Sequence, residues 1–163
     1  MKLFFVFIIS LFVFKGYTQA SFSEFLEQHN GHNIPYMSVQ ELSMPKTQAI
    51  VLDAREKNEF ETSHLKNALH VGYHLFELDS VIKITSDRSS KIVVYCSVGI
   101  RSAKIASKLK KSGFTDVYNL YGGIFEWKNN DFPLYNSKNT KTDSIHTYSK
   151  KWSKWVNNGT KVF

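Results

Sequence analysis

Apolar residues in this chain come in short bursts separated by polar turns, and two periods alternate along it. Residues 49–52 (Ala-Ile-Val-Leu) form a brief apolar run ending at Asp53, and residues 68–71, 91–95 and 117–120 make similar runs. Runs this short suit strands buried in a parallel sheet. The segment 91–95, Lys-Ile-Val-Val-Tyr, is the most strand-like, because β-branched side chains fit a pleated surface. Between these runs the period turns helical. Residues 23–26 and 56–61 predict short helices, and residues 75–84 a longer one. Ser38 stands three residues before Glu41, the spacing of a capping box, and opens a helix through Leu42. In residues 102–112, Ala103, Ile105, Ala106 and Leu109 share one face, while Lys104, Lys108, Lys110 and Lys111 lie mostly on the other. Gly113 follows as a C-terminal stop. Residues 29–35 read as loop, and Gly122-Gly123 turns the chain into a last element, 124–127, ended by Pro133. Strands alternating with helices predict an α/β fold, a parallel sheet with helices on both faces. In such sheets ligands bind beyond the carboxyl ends of the strands.

The N-terminus follows a different pattern. Met1-Lys2 precedes a run from Leu3 to Phe14 that is apolar except for Ser10, and small residues stand at Thr18 and Ala20. A charge, a short greasy stretch and small residues make up a secretory signal peptide, here cut after Ala20. The apolar run is about half the ~20 residues that a spanning helix needs, so an N-terminal membrane anchor is the alternative. The expected location is therefore periplasmic or extracellular. At 163 residues, with 42% hydrophobic and 21% charged, the rest suits one soluble domain. The net charge of +7 favours anionic partners in general without choosing among them. The lysines are scattered or lie in the tail with no nucleic-acid motif, so a solvated basic surface and no nucleic-acid partner are expected.

Export makes the single cysteine worth asking about. Cys96 has no partner for an internal disulfide, and a lone thiol outside the cytoplasm is a liability unless it is buried or used. It stands at the end of the best strand, where Ser97-Val98-Gly99-Ile100-Arg101-Ser102 leads into the best helix. The free amides and positive dipole end of that helix point back at the thiol. Gly99 lets the backbone curl into an anion-binding nest, and Arg101 adds a permanent charge. All of these stabilise a thiolate or a bound persulfide. The competing reading is an inert, buried strand-end cysteine; the glycine, the arginine and the helix start weigh against it.

Two longer stretches carry a resemblance. Residues 50–71, with Ile-Val-Leu-Asp-Ala-Arg-Glu and then Ser-His-Leu-Lys-Asn-Ala, resemble the first signature of the rhodanese-like domain family. Residues 92–134 resemble the second: Val-Val-Tyr-Cys-Ser-Val-Gly-Ile-Arg-Ser, then Leu109, Gly113-Phe114, Val117, Asn119-Leu120, Gly122-Gly123, Trp127 and Pro133. The resemblance covers roughly residues 36–135, after a signal peptide (1–20) and a lead-in (21–35) and before an extension (136–163). It implies a five-stranded parallel sheet flanked by helices, with no cofactor. It also implies a sulfurtransferase cycle, in which the loop cysteine takes a sulfane sulfur from a small anionic donor such as thiosulfate. The persulfide then passes it to a thiol, a protein acceptor or another nucleophile. By position Cys96 is the nucleophile, and the amides of Ser97, Val98, Gly99, Ile100, Arg101 and Ser102 form its cradle. Asp53, Arg55 and Glu59 fall on the flank, in structural or charge-tuning roles. Arg101 either holds the donor or pairs with one of those carboxylates. Ser63 and Asn67 depart from the glycines usual in the family. Related cysteine phosphatases place five residues between Cys and Arg, whereas four separate Cys96 from Arg101, a ring suited to one sulfur atom. The reading of a different class is a non-enzymatic module for partner binding or redox sensing. Thiol–disulfide exchange lacks a resolving cysteine.

The remaining features weigh less. His29, His32, His70 and His74 lack the company of a metal site, so no metal is expected, and His64 belongs to the signature turn. Residues 136–144 read as a polar linker. Beyond them Tyr148, Trp152, Trp155 and Val156 fall at helical spacing, with Lys150, Lys151 and Lys154 opposite, which predicts a short amphipathic C-terminal helix docked on the core. A basic, aromatic patch for weak contact with a membrane surface, or for an acceptor protein, is the alternative for this tail.

Overall fold

The computed structural model describes residues 22–29 and 33–163. The signal-peptide reading of residues 1–20 and the position of His32 lie outside them. Five parallel strands form the central sheet: β1 (Tyr36–Met37), β2 (Ile50–Asp53), β3 (Leu69–His70), β4 (Ile92–Tyr95) and β5 (Val117–Leu120), in the order β1-β5-β4-β2-β3. β4 sits at the centre, pairing Asp53 with Tyr95 on one side and Val94 with Asn119 on the other. All four of its residues are fully buried, yet they divide by the strand's period of two. Ile92 and Val94 join a cluster with Leu52, Ile105, Leu109 and Phe114, and Val93 and Tyr95 join one with Met37, Leu120, Ile124 and Phe125. A strand covered on both faces needs apolar side chains at every position, hence its unbroken apolar run.

The helices that cover those faces are α1 (Phe22–His29), α2 (Val39–Ser43), α3 (Lys57–Thr62), α4 (Leu78–Ile84), α5 (Ile100–Lys111) and α6 (Gly123–Asn129). α4 and α5 bury Val81, Ile105 and Leu109 on one side, and α1, α2 and α6 bury Leu26, Val39 and Ile124 on the other. Ser38 caps α2 by accepting a hydrogen bond from the Glu41 amide at 3.1 Å. α3 carries the reciprocal capping box, between Glu56 and Glu59. Gly113 follows α5 at φ 93°, a left-handed stop.

Two sequence expectations need correction, and two short strands show the limits of local periodicity. β1 carries no local signal: two residues after Pro35 leave no period to detect, and only pairing with β5 makes them a strand. The short strand expected at 68–71 is present as β3, a two-residue edge strand exposed at both positions. Residues 136–144 are more than a linker, because β6 (Leu134–Tyr135) pairs antiparallel with β7 (Lys141–Thr142). The amphipathic C-terminal helix is absent among the described residues; one 3-10 turn, Ser153–Trp155, stands in its place. Non-local pairing overrides the helical spacing. β8 (Ser144–His146) pairs in parallel with β9 (Thr160–Val162), the Thr147 amide donates to Val162 O at 2.8 Å, and Tyr148 takes a φ of 63°. A left-handed residue cannot continue a right-handed helix. The tail nevertheless seats Val156 and Ile145 in the core, with Trp152 and Trp155 packed against it.

The family glycine positions also resolve. Asn67 takes φ 60°, which asparagine tolerates. Ser63 lies at φ −166°, extended backbone open to any residue, and its carbonyl accepts from Arg55 Nη2 at 2.6 Å.

Candidate active site at the β4–α5 loop

The chain leaves β4 at Tyr95 and must reverse within four residues to start α5. Gly99 makes the turn, with φ 112° at the N-cap of α5, and places its amide 3.1 Å from Cys96 Sγ. The amides of Ile100, Arg101 and Ser102 open the first helical turn, where no intrahelical acceptor exists. α6 fixes the rest of the loop. Its Ile124 and Phe125 amides donate to the carbonyls of Cys96 (2.9 Å) and Ser97 (3.1 Å). Because peptides are trans and planar, carbonyls held toward α6 turn the Ser97 and Val98 N–H groups the opposite way. The loop thus presents donors rather than acceptors on its free side.

Ser102 and Asn119 complete the surroundings of the sulfur. Ser102 Oγ lies 3.4 Å from Cys96 Sγ and 2.7 Å from Asn119 Oδ1, and its single proton serves one or the other. Asn119 Nδ2 donates to Gly99 O at 2.9 Å, which fixes both the amide and the turn. Cys96 is 1% exposed, yet it lines a cavity of about 160 Å³ with Ser97, Val98, Ile100, Arg101, Tyr148 and Trp152.

The flank is a ladder of buried charges. Arg55 and Asp53 form an ion pair at 2.6 Å with neither side chain exposed, and Arg55 lies over the Tyr95 ring at 5.6 Å. Burial opposes the Arg55 charge, but Asp53 reverses that and raises its pKa. Burial and the Asp53 carboxylate push the Tyr95 phenol well above its ordinary value. Neither Asp53 nor Arg55 touches the thiol. They tie the end of β2 to the Ser63 turn, a structural role.

Arg101 is committed to Glu59. Two hydrogen bonds, Nη1 to Oε2 at 2.6 Å and Nη2 to Oε1 at 2.7 Å, make a bidentate pair, and Nη2 also donates to Ser97 Oγ at 2.9 Å. Burial pushes the Glu59 carboxyl up, but the Arg101 hydrogen bonds and charge, the Glu56 amide and Arg55 together hold it below its usual range.

Several residues at the site have no sequence signal that places them there. Tyr148 and Trp152 wall the cavity from the tail, and the Arg101 guanidinium lies over the Tyr148 ring at 5.4 Å. His146, on β8, is 7% exposed and accepts from the Tyr148 amide through Nδ1 at 3.1 Å. Burial, Arg55 and Arg101 lower its pKa against the opposing pull of Glu59, which keeps the ring neutral. Only the folded tail brings these residues to the loop. Two further histidines serve structure: His64 Nδ1 bonds Phe60 O at 3.0 Å and His70 Nε2 bonds Arg55 O at 2.8 Å.

Fold and site together define a class: a parallel α/β domain with a single cysteine set among main-chain amides at the carboxyl edge of its central strand. The chain belongs to the rhodanese-like domain family, whose model matches residues 38–130. Over 97 residues it is 35% identical to the tRNA uridine(34) hydroxylase of Aster yellows witches'-broom phytoplasma, covering 56% of this chain but only 32% of that relative's length. Over 95 residues it is 33% identical to the thiosulfate sulfurtransferase GlpE of Coxiella burnetii, covering 58% of this chain and 85% of that one. Among solved structures, a rhodanese-related protein of Thermoplasma volcanium superposes with a TM-score of 0.53 at 27% identity, covering 61% of this chain and 96% of that one.

Proposed function

We propose that this protein is a sulfurtransferase that carries a sulfane sulfur as a persulfide on Cys96. The observation that carries the reading is the Gly99 amide aimed at Cys96 Sγ from 3.1 Å, beside a cavity wide enough for a donor. In the first step the Cys96 thiolate attacks the outer sulfur of a thiosulfate-like donor. The new S–S bond forms as the donor's S–S bond breaks, and its electron pair leaves on sulfite. In the second step a thiol or other nucleophile attacks the terminal sulfur, and the Cys96 thiolate is restored. Main-chain donors of the loop stabilise the sulfur anion at both stages, preorganised so that no backbone dipole need turn, and the Ser102 hydroxyl can turn from Asn119 to add a further donor. Arg101 positions the loop through Glu59 and Ser97. The likeness to GlpE over 85% of that relative's length supports the same chemistry.

Export after cleavage at Ala20 belongs to this proposal, since the apolar run and small residues favour it. Incubation with thiosulfate should add one sulfur atom to the intact mass of the protein, and Cys96→Ser should abolish the gain. If no sulfur enters from any of several donors, the chain is a non-enzymatic binding or redox-sensing module instead.

A further inference from the structure

We infer that Tyr148 and Trp152 make the Cys96 cavity selective for a monoanionic sulfane-sulfur donor with a flat apolar substituent, about one aromatic ring in size. The inference rests on the persulfide reading of Cys96 and names the donor class for that site. Its first support is electrostatic. Among the described residues Arg101 is the one cation lining the cavity, and its charge is already matched by Glu59 at 2.6 and 2.7 Å, with a face against Tyr148. A dianion such as thiosulfate gains little from a neutralised pair and loses hydration on entry.

The second support is shape and chemistry. Tyr148, Trp152, Val98 and Ile100 supply an apolar wall around the sulfur. The volume of about 160 Å³ is close to the ~150 Å³ apolar cavity that takes up benzene in another protein. The walls are also held in place. Trp152 packs edge-on against Phe25 at 5.5 Å, and Tyr148 stands on a left-handed residue whose amide is fixed by His146. Both aromatic residues lie beyond the family match at 38–130, so they are additions to the shared domain.

With an arenethiosulfonate the balance is complete. The Cys96 thiolate attacks the terminal sulfur, the Cys96 S–S bond forms, and the bond between that sulfur and the sulfonyl sulfur breaks. The arenesulfinate leaves with the electron pair. Two monoanions enter and two leave, and no oxidant or reductant is needed.

The test is the second-order rate of persulfide formation on the full chain, read by intact mass, with benzenethiosulfonate and with thiosulfate. The two donors differ in intrinsic reactivity, so the decisive quantity is the ratio of their rates in each variant. Trp152→Ala and, separately, Tyr148→Asn should each lower the ratio by about fivefold to tenfold, the worth of one aromatic contact. Asn accepts the left-handed backbone, and Tyr148 is 59% exposed, so this second variant folds even if the first does not. A ratio within about twofold of wild type in Tyr148→Asn overturns the inference while leaving persulfide chemistry intact. Failure of both donors to load Cys96 overturns the sulfurtransferase reading itself.

Discussion

At the scale of single residues, Glu59 links α3, Arg101 and the cysteine loop. Its two oxygens accept from both Arg101 amino groups (2.6 and 2.7 Å), from Ser97 Oγ (3.2 Å) and from the Glu56 amide (2.9 Å). One carboxylate thus caps α3, neutralises Arg101 and holds the second residue of the cysteine loop. Because its folded pKa lies below the ordinary value, the unfolded chain binds its proton more readily. The sign follows: this contribution is fully present above the ordinary carboxyl range and is lost as the pH falls through the lowered folded value. Glu59→Gln should cost about 3 kcal/mol at neutral pH, the low end for breaking a buried pair, because Arg101 keeps some contact with water. It should also flatten the acid limb below about pH 4.5. Thermal melts of both proteins across that range check it. Parallel acid limbs in variant and wild type would remove Glu59 from this role.

At the scale of elements, the loop is shaped less by α5, which follows it, than by α6, which arrives later in the chain. Gly123 takes φ 57°, and a Cβ there would stand 2.3 Å from the Cys96 carbonyl oxygen and 2.8 Å from that of Ser97. Gly123→Ala must therefore push the loop backbone, costing about 1–3 kcal/mol and moving the amides away from the sulfur. Gly113→Ala is the matched control: its φ is 93°, but nothing lies within 4 Å of its Cβ position. Both variants should melt lower, yet only Gly123→Ala should also slow sulfur uptake by Cys96. Equal slowing in the two would mean that general destabilisation, not the α6 contact, governs the loop. This contrast also explains what could be read in advance. Cys96, Gly99 and Arg101 are contiguous, and their strand–turn–helix context is visible in local periodicity. The grip of α6 joins residues 96–97 to 123–125 across β5, so a sequence pattern shows the glycine pair but not its purpose. Tyr148, Trp152 and His146 are not legible as site residues, because helical spacing is a local signal and the pairing of β8 with β9 spans the whole segment between them.

At the scale of the molecule, the two ends of the described chain close over one face of the family domain. On Trp155 the Phe22 ring of α1 leans at a tilt from 5.1 Å and the Phe25 ring stacks at 5.7 Å. The tail is further pinned by Lys128 to Asp143 (2.6 Å), by Asn129 Nδ2 to Trp155 O (2.9 Å) and by the Asn157 amide to Asn129 Oδ1 (2.8 Å). Ile145 and Val156 are at most 1% exposed, so the tail contributes two fully buried side chains as well as its aromatic rings. Removing the chain after Thr142 keeps the β6–β7 hairpin but exposes the surface those residues covered. Two buried aliphatic side chains at about 1.5–3 kcal/mol each set a loss of about 3–6 kcal/mol, before the aromatic packing is counted. Against a typical stability of about 5–15 kcal/mol, such a loss should lower the melting temperature by about 10 °C or more. Differential scanning calorimetry of the truncated and full chains checks this. An unchanged melting temperature would mean the tail rests on the domain without stabilising it, and the walls that Tyr148 and Trp152 give the cavity would then have no rigid support.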